Sequence, residues 1–504
     1  MKQKVKFAIS TSLFQSQVSD LLPCNKGCKS QLVFGLLKAY GLLDHFDYII
    51  SEPYCSKNEI CQFHDSAYVN ILLNETLNCY TWANKTEYED QWVHMAQLSY
   101  NKKNAANKVQ VCMRPSDLLR YYNNYIDKGD GSIISERESL KRKRSHEDTD
   151  LENDEYERIA TNYNDWEFKK LYNLEGDCPI FPFLSLYLKV TVGATLRLLD
   201  IPDINLEPVT DIVTQDRFIG INWDGGRHHA MKRKASGFCY FNDIVLLIQR
   251  LRKNGFQKIT YLDFDLHHGD GVEKAMLYSK NVQTVSLHLY EIGFFPCSGS
   301  LKDSRGNTTV TLPVNHGFDD ENLDQLTDNV IHPCMELFQP EFIIVQCGSD
   351  GIIGDKFHEW QLTIKGLTRN IIKIMKWFPQ CHVILLGGGG YTVTLTSRFY
   401  SYLTWTLLNE FGDTYLDNPF QEESISREKS RQTDTGYELK NESNENIGYD
   451  ILIPDHEFNE FYGDKECYKF WIYEQEGTSL YKPLKNENPE SMITIFKDYY
   501  CSNK

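Results

Sequence analysis

Five short apolar runs that each break off into polar residues constrain this chain more than any other feature of its sequence. INW at 221–223 runs into DGGRHH, YLD at 261–263 into FDLHHGD, TVS at 284–286 into LH, IVQ at 344–346 into CGSD, and ILL at 384–386 into GGGGY. Helix-spaced segments lie between them, at 242–253 with Gly255 as a stop, near 321–338 and near 366–377. Apolar strands that alternate with helices predict an α/β chain, its central sheet mostly parallel and covered by helices on both faces. In such a sheet ligands bind beyond the carboxyl ends of the strands, which is where the polar residues fall. Histidines 228, 229, 267, 268 and 288 occupy three of these exits, a concentration that random scatter does not give.

The domain organisation follows from the segments that break the pattern. Residues 1–412 read as one large domain, interrupted at about 100–168 by a charged insertion, and 413–447 reads as a polar linker. Residues 448–504 are expected to pack on the large domain or extend it. No apolar run reaches the length of a membrane span, and a first strand is expected near the N-terminus rather than a signal peptide. The fourteen cysteines include no CxxC pair, the usage of an intracellular chain with reduced thiols. A formal charge of −17 argues against direct nucleic-acid binding and is compatible with a basic protein or peptide partner.

The stretch YLDFDLHHGDGVE at 261–273 poses the chemical question. Read as a continuing strand, it sets Asp263, Asp265 and His267 on one face, where three ionisable groups repel and lose hydration. A bound cation reverses that repulsion; the bland alternative is carboxylates satisfied by backbone donors at a strand end. A calcium loop counted from Asp263 needs glycine sixth and a carboxylate twelfth, but His268 and Lys274 stand there. Catalytic zinc takes about three protein ligands, and Asp350 at the end of VQCGSD is the natural partner of Asp265 and His267; iron(II) and manganese stay open. Asp263 and Asp270 are then placed to orient the tandem His228 and His229, one of which can act as base. GGGGY lacks the Lys-Ser/Thr of a phosphate loop, so it reads as backbone that passes close to a site and presents Tyr391 to a developing oxyanion. Phe238, Phe294 and Phe295 can wall an apolar channel.

Together FHDSAYV, EGDCPIF, INWDGGRHHAMKRKASGFCYFND, YLDFDLHHGDGVE, TVSLH, GFFPCSG, QCGSDGIIGD and LLGGGGYT resemble the zinc-dependent histone deacetylases of class I type, with the arginase/deacetylase fold. The resemblance covers roughly residues 5–95 and 170–412. It implies zinc on Asp265, His267 and Asp350, with His229 as general base and acid oriented by Asp270, and His228 paired with Asp263. It implies that Tyr391 polarises the acetyl carbonyl, that Gly237, Phe238, Phe295 and Phe357 shape the acetyl-lysine tunnel and its rim, and that Asp177 holds the substrate backbone. A structural potassium site is implied on Asp263, Asp265, His267, Ser286 and Leu287. Implied partners are acetylated histone tails and a corepressor or chromatin complex, in the nucleus and with the cytoplasm left open. Within the class, STSLFQSQVSDLLPCN and YNLEGDCPIF resemble a yeast type that acts on the SMC-type cohesin subunit. KRKR at 141–144 is a nuclear import candidate.

The departures spare the metal and proton-transfer positions. Lys29 stands where an internal channel usually has arginine, keeping the charge without the bidentate fork. Phe357 replaces a rim Leu or Met, and Cys297 replaces the first glycine of a GTG. Arg227 replaces an apolar residue, and Lys356 and Thr394 replace arginines that bind an inositol phosphate in corepressor-associated relatives. Two other classes remain, a small-molecule amidohydrolase on the same fold and a non-catalytic scaffold.

Overall fold

Alternate residues of the central strands face two separate cores. Ile343 and Val345 enter one cluster and Phe342 and Ile344 the other; Val383 and Leu385 part from Ile384 and Leu386 in the same way. A sheet buried on both faces must read as continuous apolar runs, as these strands do. The computed structural model describes residues 3–73, 165–421 and 451–501, save 52, 182, 202, 203, 205, 209–214 and 464. KRKR at 141–144 lies outside them, as do nearly all of the charged insertion, residues 422–447 of the polar linker and the first three residues of the 448–504 segment.

The described strands are β1 (Val5–Ser10), β2 (Tyr48–Ile50), β3 (Arg217–Asn222), β4 (Ile259–Asp263), β5 (Val282–Leu289), β6 (Thr309–Val314), β7 (Phe342–Gln346) and β8 (His382–Leu386). They form one sheet in the order β2-β1-β3-β8-β7-β4-β5-β6, with every pairing parallel. The chain crosses from β3 over two positions to β4, and β8 and β7 later fill the gap. Four strand ends that are distant in sequence therefore open beside one another.

Helices cover both faces. The Leu184–Leu196 and Asp243–Lys253 helices pack on one core, and the Lys29–Ala39, Ile364–Trp377 and Val393–Phe411 helices on the other. Asn242 caps its helix by accepting from the Val245 N–H at 3.0 Å, and Arg250, Arg252 and Lys253 oppose the carbonyl charge of the last turn. Thr363 caps the Ile364–Trp377 helix through the Gly366 N–H at 2.9 Å. The helix expected near 321–338 runs unbroken from Asp320 to Phe338, widened into a π-helical stretch over Thr327–Ile331. Pro333 has no N–H for the i−4 ladder, and the helix passes it directly after the wider turns, where the His332 N–H bonds to the Thr327 carbonyl.

Residues 451–501 pack against the core that holds the Val393–Phe411 helix, burying Phe458, Tyr462, Phe470, Trp471 and Phe496. The Asp165–Tyr172 helix begins inside the stretch expected to be an insertion, and Leu416 and Phe420 are buried just after residue 412. The Met492–Tyr500 helix covers the outer strand β6, where the Tyr500 hydroxyl accepts from Thr311 N at 3.0 Å and donates to Thr311 O at 2.7 Å. Among the described residues no helix is long and apolar enough to cross a membrane.

Candidate active site

The exits of β3 and β8 are pressed together by glycine. A Cβ on Gly226 (φ +85°) would lie 1.9 Å from the Gly387 carbonyl oxygen, so neither loop can stand off from the other. This turn delivers His228 and His229, both buried, above the sheet. Next door β4 stops at Asp263, which corrects the expectation that the strand runs on through His267. The Phe264 N–H still bonds to the Gln346 carbonyl, but the Asp265 N–H turns in to the Asp263 carboxylate at 3.1 Å. The bend sends Asp265 and His267 toward Asp350 from the β7 exit.

Asp265, His267 and Asp350 each offer a ligand atom within 4.8 Å of the others, and all three are buried. The carboxylates are braced for this. Asp265 Oδ2 accepts from Gln346 Nε2 at 2.8 Å and Gly389 N at 2.7 Å, and Asp350 Oδ1 accepts from Leu266 N at 3.1 Å. Their other oxygens face His267 Nδ1 at 3.1 and 3.0 Å. One ring nitrogen cannot serve two buried carboxylates as well as a shared cation can, so the donor set fits a divalent ion. A Cβ on Gly389 would sit 2.2 Å from Asp350 Oδ2, so the glycine run is what lets the β8 loop close over the carboxylates.

Each tandem histidine has its own carboxylate. His228 Nδ1 lies 2.8 Å from Asp263 Oδ2, and His229 Nδ1 lies 2.9 Å from Asp270 Oδ1. Asp263 also accepts from the Tyr261 hydroxyl at 2.7 Å, and Asp270 from Lys274 at 2.8 Å. Burial alone would lower His228, but the Asp263 and Asp265 charges outweigh it and hold the ring up at about 9. Burial, and then the neighbouring His228 charge, push His229 down to about 3. Two adjacent rings thus differ in proton affinity, the separation expected of groups with different roles in acid–base chemistry. Burial would raise Asp270, but the His229 and Lys274 contacts take it down to about 2.

Aromatic rings wall the approach. Phe295 packs edge-on against His229 at 4.8 Å between centroids, Phe294 stacks on His267 at 5.2 Å, and Phe357 lies 4.9 Å from His267 and 4.8 Å from Tyr391. Tyr391 and Phe238 face each other at 5.8 Å. Gly237, Phe238, His228, His229, Asp265 and Tyr391 line one cavity, to which Cys24, Lys29 and Arg227 also contribute. Lys29 is buried and donates to the Gly388 and Gly389 carbonyls at 2.9 and 3.3 Å.

The model of the Histone deacetylase domain matches residues 23–407. The chain belongs to the histone deacetylase family. This deacetylase is 44% identical to Histone deacetylase HOS1 of Saccharomyces cerevisiae over 505 residues, which cover 98% of this chain and 99% of that protein. Histone deacetylase 8 of Xenopus tropicalis is 38% identical over 237 residues, 46% of this chain and 61% of that protein. Histone deacetylase 1 of Homo sapiens is 38% identical over 251 residues, 49% of this chain and 48% of that protein. The chain is thus a hydrolase of the deacetylase class, and its all-parallel sheet agrees with the fold expected of that class.

Two residues that support the deacetylase site were absent from the sequence reading. Gln346 braces Asp265, and its only signal was an amide closing an otherwise apolar strand. Asp355, buried, accepts from Tyr391 N at 2.7 Å, Thr392 N at 2.8 Å and Phe357 N at 3.1 Å, so one carboxylate holds both the tyrosine and the rim phenylalanine. Asp177 is exposed on the turn before Cys178 and is not among the residues lining the cavity. Ser286 is the register partner of Asp263, but its hydroxyl is engaged by the Gly269 N–H at 3.2 Å and by His288 at 3.0 Å; Leu287 is buried.

Proposed function

We propose that the chain hydrolyses N6-acetyl-lysine in proteins with zinc held by Asp265, His267 and Asp350, iron(II) being the alternative ion. The observation that carries this reading is the convergence of those three buried groups at the edge of a cavity that Asp265 lines together with His228, His229, Phe238 and Tyr391. When bound, the ion supplies Lewis-acid polarisation of the acetyl carbonyl and makes the attacking water more acidic.

The protein's own groups do the rest. His229 donates its Nδ1–H to Asp270, which leaves Nε2 as the acceptor for the water proton. The Tyr391 hydroxyl, its backbone pinned by Asp355, donates to the oxyanion as the carbonyl becomes tetrahedral. His229 returns the proton to the lysine nitrogen as the C–N bond breaks, giving acetate and free amine. His228 stays paired with Asp263 and keeps a positive ring next to the developing negative charge. Phe238 and Phe295 exclude water along the acetyl-lysine chain, Gly237 gives them room, and Phe357 and Asp177 meet the substrate at the rim.

Histone tails are the substrate class that the relatives' names support, and the SMC-type cohesin subunit is a second substrate in the same proposal. A structural potassium ion on Asp263, Asp265, His267, Ser286 and Leu287, residence in the nucleus and membership of a chromatin complex complete it. The test is acetate release from acetyl-histone and acetyl-cohesin peptides by zinc-loaded protein, with His229→Ala and Tyr391→Phe alongside. Loss of most turnover in both variants with metal retained is expected; wild-type turnover in either would refute its role.

A further inference from the structure

The second tandem pair, His267-His268, is only half used by the chemistry above. His268 is buried, and both of its ring nitrogens are occupied: Nε2 lies 2.9 Å from the Glu273 carboxylate and Nδ1 lies 2.9 Å from the Ser298 hydroxyl. A carboxylate only accepts, so Nε2 carries the hydrogen and Nδ1 accepts from Ser298. Its ring packs 4.4 Å from that of His288, which repeats the arrangement one step away. The Gly269 N–H donates to Ser286 Oγ at 3.2 Å, Ser286 donates to His288 Nδ1 at 3.0 Å, and His288 Nε2 donates to the Gly299 carbonyl at 2.8 Å. Donation runs from the loop to the helix through the first link and from the helix side to the loop through the second, and every ring nitrogen has a single consistent role.

The two links join the same two bodies. One is the Asp270–Met276 helix with Gly269 ahead of it, whose first residue holds His229. The other is the loop at 293–300, whose Phe295 packs edge-on against the His229 ring at 4.8 Å between centroids. Gly299, at φ +92°, closes the gap so tightly that a Cβ there would lie 2.3 Å from His288 Nε2 and 2.6 Å from His268 Cγ. The two groups that contact His229, Asp270 and Phe295, are therefore carried on bodies tied together by one buried strut.

We propose that His268 is a positioning residue for deacetylation: through Glu273 on one side and Ser298 on the other, it fixes the gap between Asp270 and Phe295 and so sets the angle of His229. This rests on the reading of His229 as the base. Ser298→Ala removes one end of the strut with little change in packing, and His268→Gln removes its middle. Each is made alone and with Asp270→Asn in the full zinc-loaded chain, and kcat and KM on an acetyl-lysine peptide, bound zinc and the melting midpoint are measured. The single variants are expected to lose about tenfold in kcat, with KM and bound zinc unchanged. In the Asp270→Asn background the same changes should cost nothing more, because the group they act through is already lost. Additive losses, unchanged kcat in both single variants, or loss of zinc in step with kcat would overturn the strut while leaving the deacetylase reading intact. A wild-type enzyme that releases no acetate would overturn both.

Discussion

Gly237→Ala should cripple the enzyme without unfolding it. The residue sits at φ +49°, and a Cβ built there lies 2.6 Å from His229 Cδ2 and 2.8 Å from two ring carbons of Phe295. Ordinary carbon–carbon contact is about 3.5 Å, so one neighbour must retreat by close to 1 Å. Phe295 is hemmed in by His267 at 6.0 Å between centroids and His229 by Asp270, so the displacement falls on the geometry proposed for catalysis. A shift of that size in a reacting group costs about a hundredfold in rate. The left-handed backbone adds only about 1 to 2 kcal/mol of strain, a small part of the stability of a chain this large. Gly41→Ala is the control: at φ +68° it bears similar strain, but nothing lies within 4 Å of its added Cβ. Steady-state kinetics on an acetyl-lysine peptide, with thermal melts of both variants, separate the effects. If Gly237→Ala stays folded and keeps kcat within roughly tenfold of wild type, or if Gly41→Ala loses as much, the reasoning is wrong.

Three further outcomes are expected. Zinc added to chelator-treated protein at a thousand times its dissociation constant should stabilise the fold by about 4 kcal/mol, and Asp350→Asn should abolish the response; a wild-type melt indifferent to zinc, iron(II) and manganese would remove the metal site. Glu474 accepts from Ile364 N at the start of a helix, and burial pushes it up to about 7, so the carboxyl favours folding when protonated. That contribution is complete below pH 4.5 and is lost as pH rises through 7, so Glu474→Gln should gain up to about 3 kcal/mol on wild type between pH 5 and pH 8 in denaturant titrations. Tyr500→Phe takes the donor from the Thr311 carbonyl on the outer strand and leaves its N–H only the longer bond to Ser304 Oγ at 3.3 Å, so it should cost about 1 to 3 kcal/mol and increase light scattering on heating; an unchanged melt would show that water replaces the hydroxyl.

What could be read in advance was what the middle of the sheet dictates. β3, β4, β5, β7 and β8 are buried on both faces, so their apolar runs were unambiguous and their polar exits marked one end of the sheet. The outer strands were not legible: β2 has three residues of which none is buried, and β6 contains Pro313, which a strand tolerates only where an N–H goes unused. The turn after Asp263 escaped notice because period-two alternation continues in the sequence through His267, whereas the backbone leaves the sheet to bond to the Asp263 side chain. Gln346 and Asp355 were missed for a related reason. They touch the outer oxygens or amides of other site residues, and such contacts leave no spacing signature in the chain.

The crossover from β3 to β4, filled later by β7 and β8, bears on synthesis as well as on catalysis. Neighbouring strands around the pocket lie far apart in the chain, Ile219 pairing with Val383 and Ile259 with Phe342, so their pairing must await distant segments. A ribosome-bound fragment ending before His382 has β3 and β4 without β8, which lies between β3 and β7, and none of the glycine loop. Such a nascent chain should be catalytically silent and in need of protection, and deacetylation is then evidence that translation has passed Tyr391 and the whole sheet has zipped shut.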